Sequence, residues 1–223
     1  AARMAFLELL LSGVTCVGEC HYLQHQADGS PWPEPNQSAR EILRAAHDVG
    51  IRIALLNGAQ VRSGFRQAAG SAPARLLIPT AEQFVRESES LRDFIEKNHP
   101  GDEAWIGVAP HSLATVPLDY LKAVANYAHA KRLRFHLHVG ADAAEQAACV
   151  DEYGRSPAAL LAEHGFLDKR FVALHGTHLT DEDIRILGAA RVTVCGCPAS
   201  ELHRGDGGFP LGGLVPARAT VAV

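Results

Sequence analysis

The sequence predicts an α/β fold built on parallel strands, and three observations support this. Short apolar runs, often rich in β-branched residues, alternate with amphipathic helical segments along all 223 residues. Each predicted strand is followed by a helix, which is typical of parallel pairing with right-handed crossovers. Most of the predicted strands are nearly continuous apolar runs, as expected where both faces of a sheet are covered.

The elements follow from these patterns in order. Strands are predicted at residues 14–19, 51–56, 104–109, 134–139, 171–175, 191–195 and 220–223. Helices are predicted at residues 1–11, 38–49, 81–98, 118–130, 143–164 (broken near Gly154 and Pro157) and 181–189. Residues 21–37 read as an extended surface loop, because proline at alternate positions excludes both a helix and a central strand.

Helix start signals place several of these boundaries. Ser38 with Glu41 predicts a capping box, and Thr80 is the predicted cap of the next long helix. Thr180 precedes an acidic first turn that suits the helix dipole.

Two architectures fit this alternation: an open doubly wound sheet, or a (β/α)8 barrel that lacks its first strand. An open sheet often carries a glycine-rich phosphate turn after its first strand, whereas here Glu19 to Tyr22 follow with no such motif. The chain starts at Ala1 in a helical pattern and ends on a strand-like run. We therefore expect one partial barrel domain over residues 1–223 of a longer protein.

Composition excludes several classes of function. A formal net charge of −4 with no basic block argues against nucleic acid as a partner, and 47% hydrophobic residues exclude bulk disorder. No apolar run is long enough for a membrane span. The five cysteines are an odd and scattered set, which favours a reducing, cytoplasmic setting over a disulfide framework.

Imidazole and thiol side chains recur where the predicted strands end. They are His21 with Tyr22, His111, His136 with His138, His175, and Cys197. In a parallel barrel the carboxyl ends of the strands converge on one face, where active sites lie. The sequence therefore predicts a site at this mouth.

Several assignments stay open from spacing alone. His136 and His138 share one face of a strand, so they are either a site containing a metal ligand or a pair of hydrogen-bonded interior histidines. His175 is either catalytic or a core histidine, and Glu19 is either a buried acid or a loop anchor. Buried cysteine is the expected state of Cys195 and Cys197. His47, His99, His129 and His164 are interpreted as surface residues.

The motifs also resemble a known family. They are the segment from Gly18 to His25 with a later Asp-Gly turn, the run from Ala109 to Leu113, His136 to Val139, His175 to Thr180, and Cys197-Pro198 with Gly205 to Gly207. Their order over essentially the whole chain resembles the amidohydrolase superfamily. Within it, the chain is most similar to the N-formimino-L-glutamate deiminase group of histidine degradation.

This resemblance implies an incomplete (β/α)8 barrel, a small-molecule substrate and one catalytic divalent metal, with Zn²⁺ expected. It implies that His138 is the metal ligand of the fifth strand of the family barrel, that His175 is catalytic, and that Tyr22 and His111 bind substrate. A metal-bound hydroxide would then attack the formimino carbon and release ammonia.

The chain departs from the family pattern at named positions. The first-strand H-x-H pair and the eighth-strand Asp have no counterpart here. Ala141 stands where the family has a proton-shuttling Glu, with Asp142 and Glu145 nearby but out of register. Ala114 stands where the family has an Arg for the substrate carboxylate.

Three functional hypotheses therefore remain. The first is part of a metal-dependent C–N hydrolase acting on formimino-glutamate. The second is a catalytically impaired or non-catalytic barrel remnant, and the third is an aminohydrolase of the guanine, cytosine or triazine type. A barrel with two open edges also predicts association of the isolated chain, as a homodimer or larger oligomer.

Overall fold

The computed structural model describes residues 1–223 and shows one parallel sheet. Its strands lie side by side in chain order, and every pair of neighbours is parallel. They are β1 (Cys16–His21), β2 (Arg52–Ala59), β3 (Ala104–Pro110), β4 (Phe135–Val139), β5 (Phe171–His175), β6 (Thr193–Cys195) and β7 (Thr220–Ala222). The strand order follows the chain without the reversal of a doubly wound sheet, and the first and last strands do not pair with each other, so the incomplete barrel predicted from the sequence is confirmed.

Nine helices accompany these strands. They are α1 (Ala2–Leu11), α2 (Gln37–Val49), α3 (Ala81–Asn98), α4 (Leu118–Lys131), α5 (Ala143–Tyr153), α6 (Pro157–Glu163), α7 (Asp181–Ala189), α8 (Pro198–Arg204) and α9 (Leu211–Leu214). The predicted break between α5 and α6 is present. The short helices α8 and α9 were not predicted, because their segment is rich in glycine and proline. None of the helices combines the length and apolar character needed to cross a membrane.

Two strands begin two residues later than their patterns predict. The amide of Val14 donates to the carbonyl of Leu9 at 3.0 Å, so this residue still belongs to the turn that closes α1. Arg191 adopts a left-handed φ of 55°, and its amide donates to the carbonyl of Gly188 at 3.0 Å. Both residues are therefore held by the preceding helix and not by the sheet ladder.

The helix caps confirm two predictions and correct one. Thr80 accepts a hydrogen bond from the amide of Gln83, and Thr180 forms a full capping box with Asp183. The predicted Ser38–Glu41 box is wrong, since α2 starts one residue earlier at Gln37. The Ser38 hydroxyl instead donates to the carbonyl of Leu23 at 2.5 Å, which ties the helix to the loop after β1.

The hydrophobic core lies between the sheet and its helices. Val108, Leu137 and Ala173, from three neighbouring strands, are fully buried among helical side chains such as Leu121 and Leu161. On β4 the apolar residues 135, 137 and 139 face this core, so the two histidines between them face the opposite side of the sheet. The core therefore fixes which strand residues project toward the mouth.

Candidate active site

Four predicted residues meet at the carboxyl ends of the strands. The imidazole of His138 stacks between those of His111 and His175, with ring centroids 4.5 Å and 4.9 Å away. The Tyr22 ring lies 5.5 Å from the His111 ring, and its hydroxyl is 3.3 Å from Nε2 of His138. Residues separated by more than 150 positions in the chain thus form one cluster, at the face where the sequence predicts a site.

Backbone hydrogen bonds between neighbouring strand ends hold this cluster. The amide of His138 donates to the carbonyl of His111 at 2.9 Å, and the amide of Gly176 donates to that of Val139 at 3.0 Å. His175 has a left-handed φ of 75°, a conformation that costs a non-glycine residue energy. Such local strain is concentrated at functional sites, and here it sets the direction of the His175 ring as β5 ends.

Tyr22 reaches the mouth because β2 makes room for its ring. A Cβ atom at Gly58 would lie 2.3 Å from Cδ1 of Tyr22, so only glycine fits at this strand position. Nε2 of Gln24 donates to the carbonyl of Gly58 at 2.9 Å and pins the loop that follows β1. His21 points away from the mouth, with Nε2 2.9 Å from the Ser38 hydroxyl, so it belongs to the packing of α2.

Burial favours the neutral imidazoles of His111 and His138. It lowers the pKa of His111 to about 4, assisted by the charge of His175. It lowers the pKa of His138 to about 3, assisted by His111, His175 and Arg204. Burial also raises the pKa of Tyr22 far above its ordinary value. At neutral pH His111 and His138 thus offer imidazole lone pairs, and Tyr22 offers an un-ionised phenol.

Glu201 is a site residue that the sequence reading missed. Its carboxylate is fully buried, accepts a hydrogen bond from the amide of Cys197 at 2.9 Å, and lies 3.1 Å from Nδ1 of His175. It therefore orients the His175 ring, with Nε2 left free. The available signal was an acidic residue in the first turn after Cys197-Pro198, where a proline starts a helix. Cys197 itself is exposed, which corrects the expectation of a buried thiol.

Glu145 and Asp142 have different surroundings. Asp142 is the N-cap of α5 and accepts a hydrogen bond from the amide of Ala144 at 2.6 Å. The carboxyl of Glu145 is largely withdrawn from solvent, and this burial raises its pKa. Hydrogen bonds from Ser112 and the Ala114 backbone and the charge of His175 oppose the rise. Glu145 is therefore an acid beside the histidine cluster, one helical turn beyond Ala141.

The position of the family's carboxylate-binding arginine carries no cation. Ala114 is buried, with 7% of its surface exposed. Its carbonyl accepts a hydrogen bond from Nε of Arg62 at 2.8 Å, and an Nη of the same arginine pairs with Glu152 at 3.2 Å. Because Arg62 is engaged on both sides, it is not free to bind a substrate carboxylate.

The donor set fits a divalent metal such as Zn²⁺. Neutral imidazole is a preferred ligand of zinc, and His138 and His175 face each other with their rings almost in contact. One ligand atom each from His175, Cys197 and Glu201 also lies within 4.8 Å of the other two. His136 is one layer deeper on β4, where its buried Nδ1 has no hydrogen-bond partner.

The fold is an incomplete parallel α/β barrel with a histidine cluster at the carboxyl ends of its strands, and comparison with known proteins gives the family. The Amidohydrolase family model matches residues 1–222, so the chain belongs to that family. It is 28% identical to formimidoylglutamate deiminase of Pseudomonas aeruginosa over 94% of this chain and 45% of that protein. It is also 28% identical to 8-oxoguanine deaminase of the same organism, over 100% of this chain and 47% of the relative.

A solved structure gives the same assignment. The amidohydrolase from Brucella melitensis superposes with a TM-score of 0.91 at 32% identity, over 99% of this chain and 48% of that one. The chain thus spans about half the length of the relatives it matches.

Proposed function

We propose that this chain forms the substrate-binding mouth of a metal-dependent deaminase that hydrolyses a C–N bond and releases ammonia. The observation that carries the proposal is the convergence of Tyr22, His111, His138 and His175 at the carboxyl ends of β1, β3, β4 and β5. Membership of the amidohydrolase family and similarity to two deaminases support it.

Each residue has a defined part in this proposal. His138 would hold the divalent metal, which supplies a water molecule of lowered pKa when bound. His175, with its Nδ1 proton donated to Glu201, would present Nε2 as the hydrogen-bond and proton acceptor toward the reacting group. Tyr22 and His111 would bind the substrate, and Tyr22 contributes an un-ionised hydroxyl. Glu145 would take the place left by Ala141 and carry the proton to the leaving nitrogen.

Formimino-glutamate is the proposed substrate. The support is the motif order along the chain and the similarity to a formimidoylglutamate deiminase. If formimino-glutamate is the substrate, the cation that binds its glutamate carboxylate must come from a residue other than Ala114 or Arg62.

A second candidate substrate is an aminated heterocycle. The observation that favours it is the absence of a free arginine at the position of Ala114. An uncharged ring has no carboxylate group for an arginine to bind. Similarity to 8-oxoguanine deaminase supports this alternative.

Ammonia release from the full-length, zinc-loaded protein tests these alternatives. Formimino-glutamate, 8-oxoguanine, guanine, cytosine and an aminotriazine would be compared under identical conditions. Turnover of formimino-glutamate alone supports the first substrate, and turnover of a ring alone supports the second. No turnover, together with less than equimolar metal after chelator-free purification, would overturn the enzyme proposal and favour a non-catalytic barrel.

A further inference from the structure

A second histidine cluster lies at the opposite end of the strands from the mouth. His47 is in the last turn of α2, His99 follows the last residue of α3, and Glu103 directly precedes β3. The helix–strand packing brings these three positions together at the amino-terminal end of β3. His99 was interpreted as a surface residue, which is wrong, because only 8% of it is exposed. Its ring packs against His47 and Phe94, at centroid distances of 5.6 and 6.0 Å.

The side chains of this cluster are arranged as ligands. Nδ1 of His47 lies 3.1 Å from Oε2 of Glu103. One ligand atom from each of His47, His99 and Glu103 lies within 4.8 Å of the other two. His99 is 8% exposed as a residue, and no protein group hydrogen-bonds to its ring. A cavity of about 120 Å³ adjoins all three side chains, which is room for an ion and a few waters.

The electrostatic surroundings favour a cation. His47 and His99 both lie at helix carboxyl termini, where the unpaired carbonyls carry negative partial charge. Glu103 adds a carboxylate. Arg52 also adjoins the cavity, but its guanidinium is exposed and makes no ion pair with Glu103.

We propose that His47, His99 and Glu103 form a second metal site, which binds Zn²⁺ through two imidazoles and one carboxylate, with water as the fourth ligand. Tetrahedral zinc with bonds of about 2.0–2.1 Å places its ligand atoms roughly 3.3–3.4 Å apart. The His47–Glu103 separation of 3.1 Å is close to that value. The remaining pairs need to close by at most about 1.5 Å, and the half-exposed side chains of His47 and Glu103 are free to make this movement.

The role of the site would be structural. It would link the end of α2, the end of α3 and the start of β3, next to the edge where β1 has only one neighbour. Residues at this face of a barrel act on stability, while the opposite face carries the chemistry. This inference does not depend on the proposed deaminase activity.

Zinc binding to the 223-residue chain tests the proposal. The zinc stoichiometry and dissociation constant would be measured by competition with a chromogenic chelator, and Co²⁺ absorption would report a tetrahedral site. The variants are Glu103→Gln and His47→Gln, both exposed and safe for folding, and His99→Gln. We expect each variant to bind one zinc equivalent at least tenfold more weakly. Each should also lose the Co²⁺ absorption of that site and the zinc-dependent rise in Tm.

Two controls separate this site from the mouth and from surface binding. His138→Asn removes a histidine of the mouth, and His129→Gln removes an exposed histidine from the end of α4. Both control variants should still bind the zinc equivalent that the Glu103→Gln variant loses. The proposal is overturned if Glu103→Gln and His47→Gln bind zinc with unchanged stoichiometry and affinity. It is also overturned if His138→Asn removes the same equivalent.

Discussion

At the scale of single residues, Glu201 determines how His175 can act. Its buried carboxylate lies 3.1 Å from Nδ1 and has no competing partner except the amide of Cys197. A carboxylate behind a histidine fixes its tautomer and ring orientation, and loss of such a partner typically costs 10–100-fold in activity.

The Glu201→Gln variant tests this positioning role. In the full-length protein we expect kcat to fall by about 10–100-fold with KM little changed, because only the orientation and tautomer of the His175 ring are affected. In the 223-residue chain, ¹⁵N–¹H NMR spectra should show His175 losing its single tautomer. An unchanged tautomer together with unchanged kcat would contradict the role.

Glu145 and Asp142 are a matched pair for testing the proton carrier. Glu145→Gln removes the acid beside the histidine cluster, and we expect kcat to fall by about 10²–10⁴-fold, the usual contribution of general acid–base catalysis. Asp142→Asn keeps the N-cap of α5, because asparagine caps as well as aspartate, so activity should stay within a few-fold. The measurement is ammonia release by the full-length variants. Equal losses in both variants would assign the effect to the fold of α5.

At the same scale, the limits of sequence reasoning are visible in particular residues. The placement of His111, His138 and His175 at strand ends was predicted, because position at a strand end is a local property of the sequence. Glu201 and the buried ring of His99 were missed, because each is defined by contacts with residues distant in the chain. Ser38 shows the same limit, since its hydroxyl donates to the carbonyl of Leu23 in the loop after β1 and does not cap its own helix.

At the scale of elements, close packing of α7 against the segment before β7 depends on one glycine. A Cβ atom at Gly188 would lie 2.1 Å from the carbonyl oxygen of Ala217. Because this oxygen belongs to the backbone, it cannot move aside as the end of a flexible side chain can. A Cβ atom added at Gly212 in α9 would have no other atom within 4 Å. The two positions therefore separate overpacking from helix propensity.

We expect Gly188→Ala to lower the free energy of unfolding by about 1–3 kcal/mol through overpacking. Gly212→Ala should be neutral, or stabilising by up to about 1 kcal/mol, because alanine is the better helix former. Urea denaturation midpoints would measure both changes. A Gly188→Ala variant as stable as the unmodified chain would show that α7 and the last segment are not held as closely as described.

The sheet itself was predicted well at this scale. All seven strands were located, since each is a short apolar run bounded by turns, although their first or last residues shifted by up to three positions. Closure of the sheet could not be decided from periodicity, because an open sheet and a barrel share the same alternation of strands and helices. The structure and the family comparison decided it.

At the scale of the whole molecule, the two open edges of the sheet are its weakest feature. β1 and β7 each pair on one side only, so both present backbone donors and acceptors that another chain can pair with. On α1, which packs against α2, the large apolar side chains of Met4, Leu7 and Leu11 are 59%, 42% and 79% exposed, which adds an exposed apolar surface. A net charge of −4 spread over 223 residues offers little repulsion against association.

We therefore expect the 223-residue chain to associate as its concentration rises, which sedimentation velocity would show as a shift from monomer to larger species. Thr220→Lys places a charge on the exposed start of β7, where lysine is a natural means of blocking edge pairing, and should move the distribution toward monomer. Ala130→Lys adds the same charge to an exposed position at the end of α4 and should change little. If both variants behave alike, association occurs through other surfaces, such as α1. If the unmodified chain stays monomeric at every concentration, these edges are shielded and do not act as open strands.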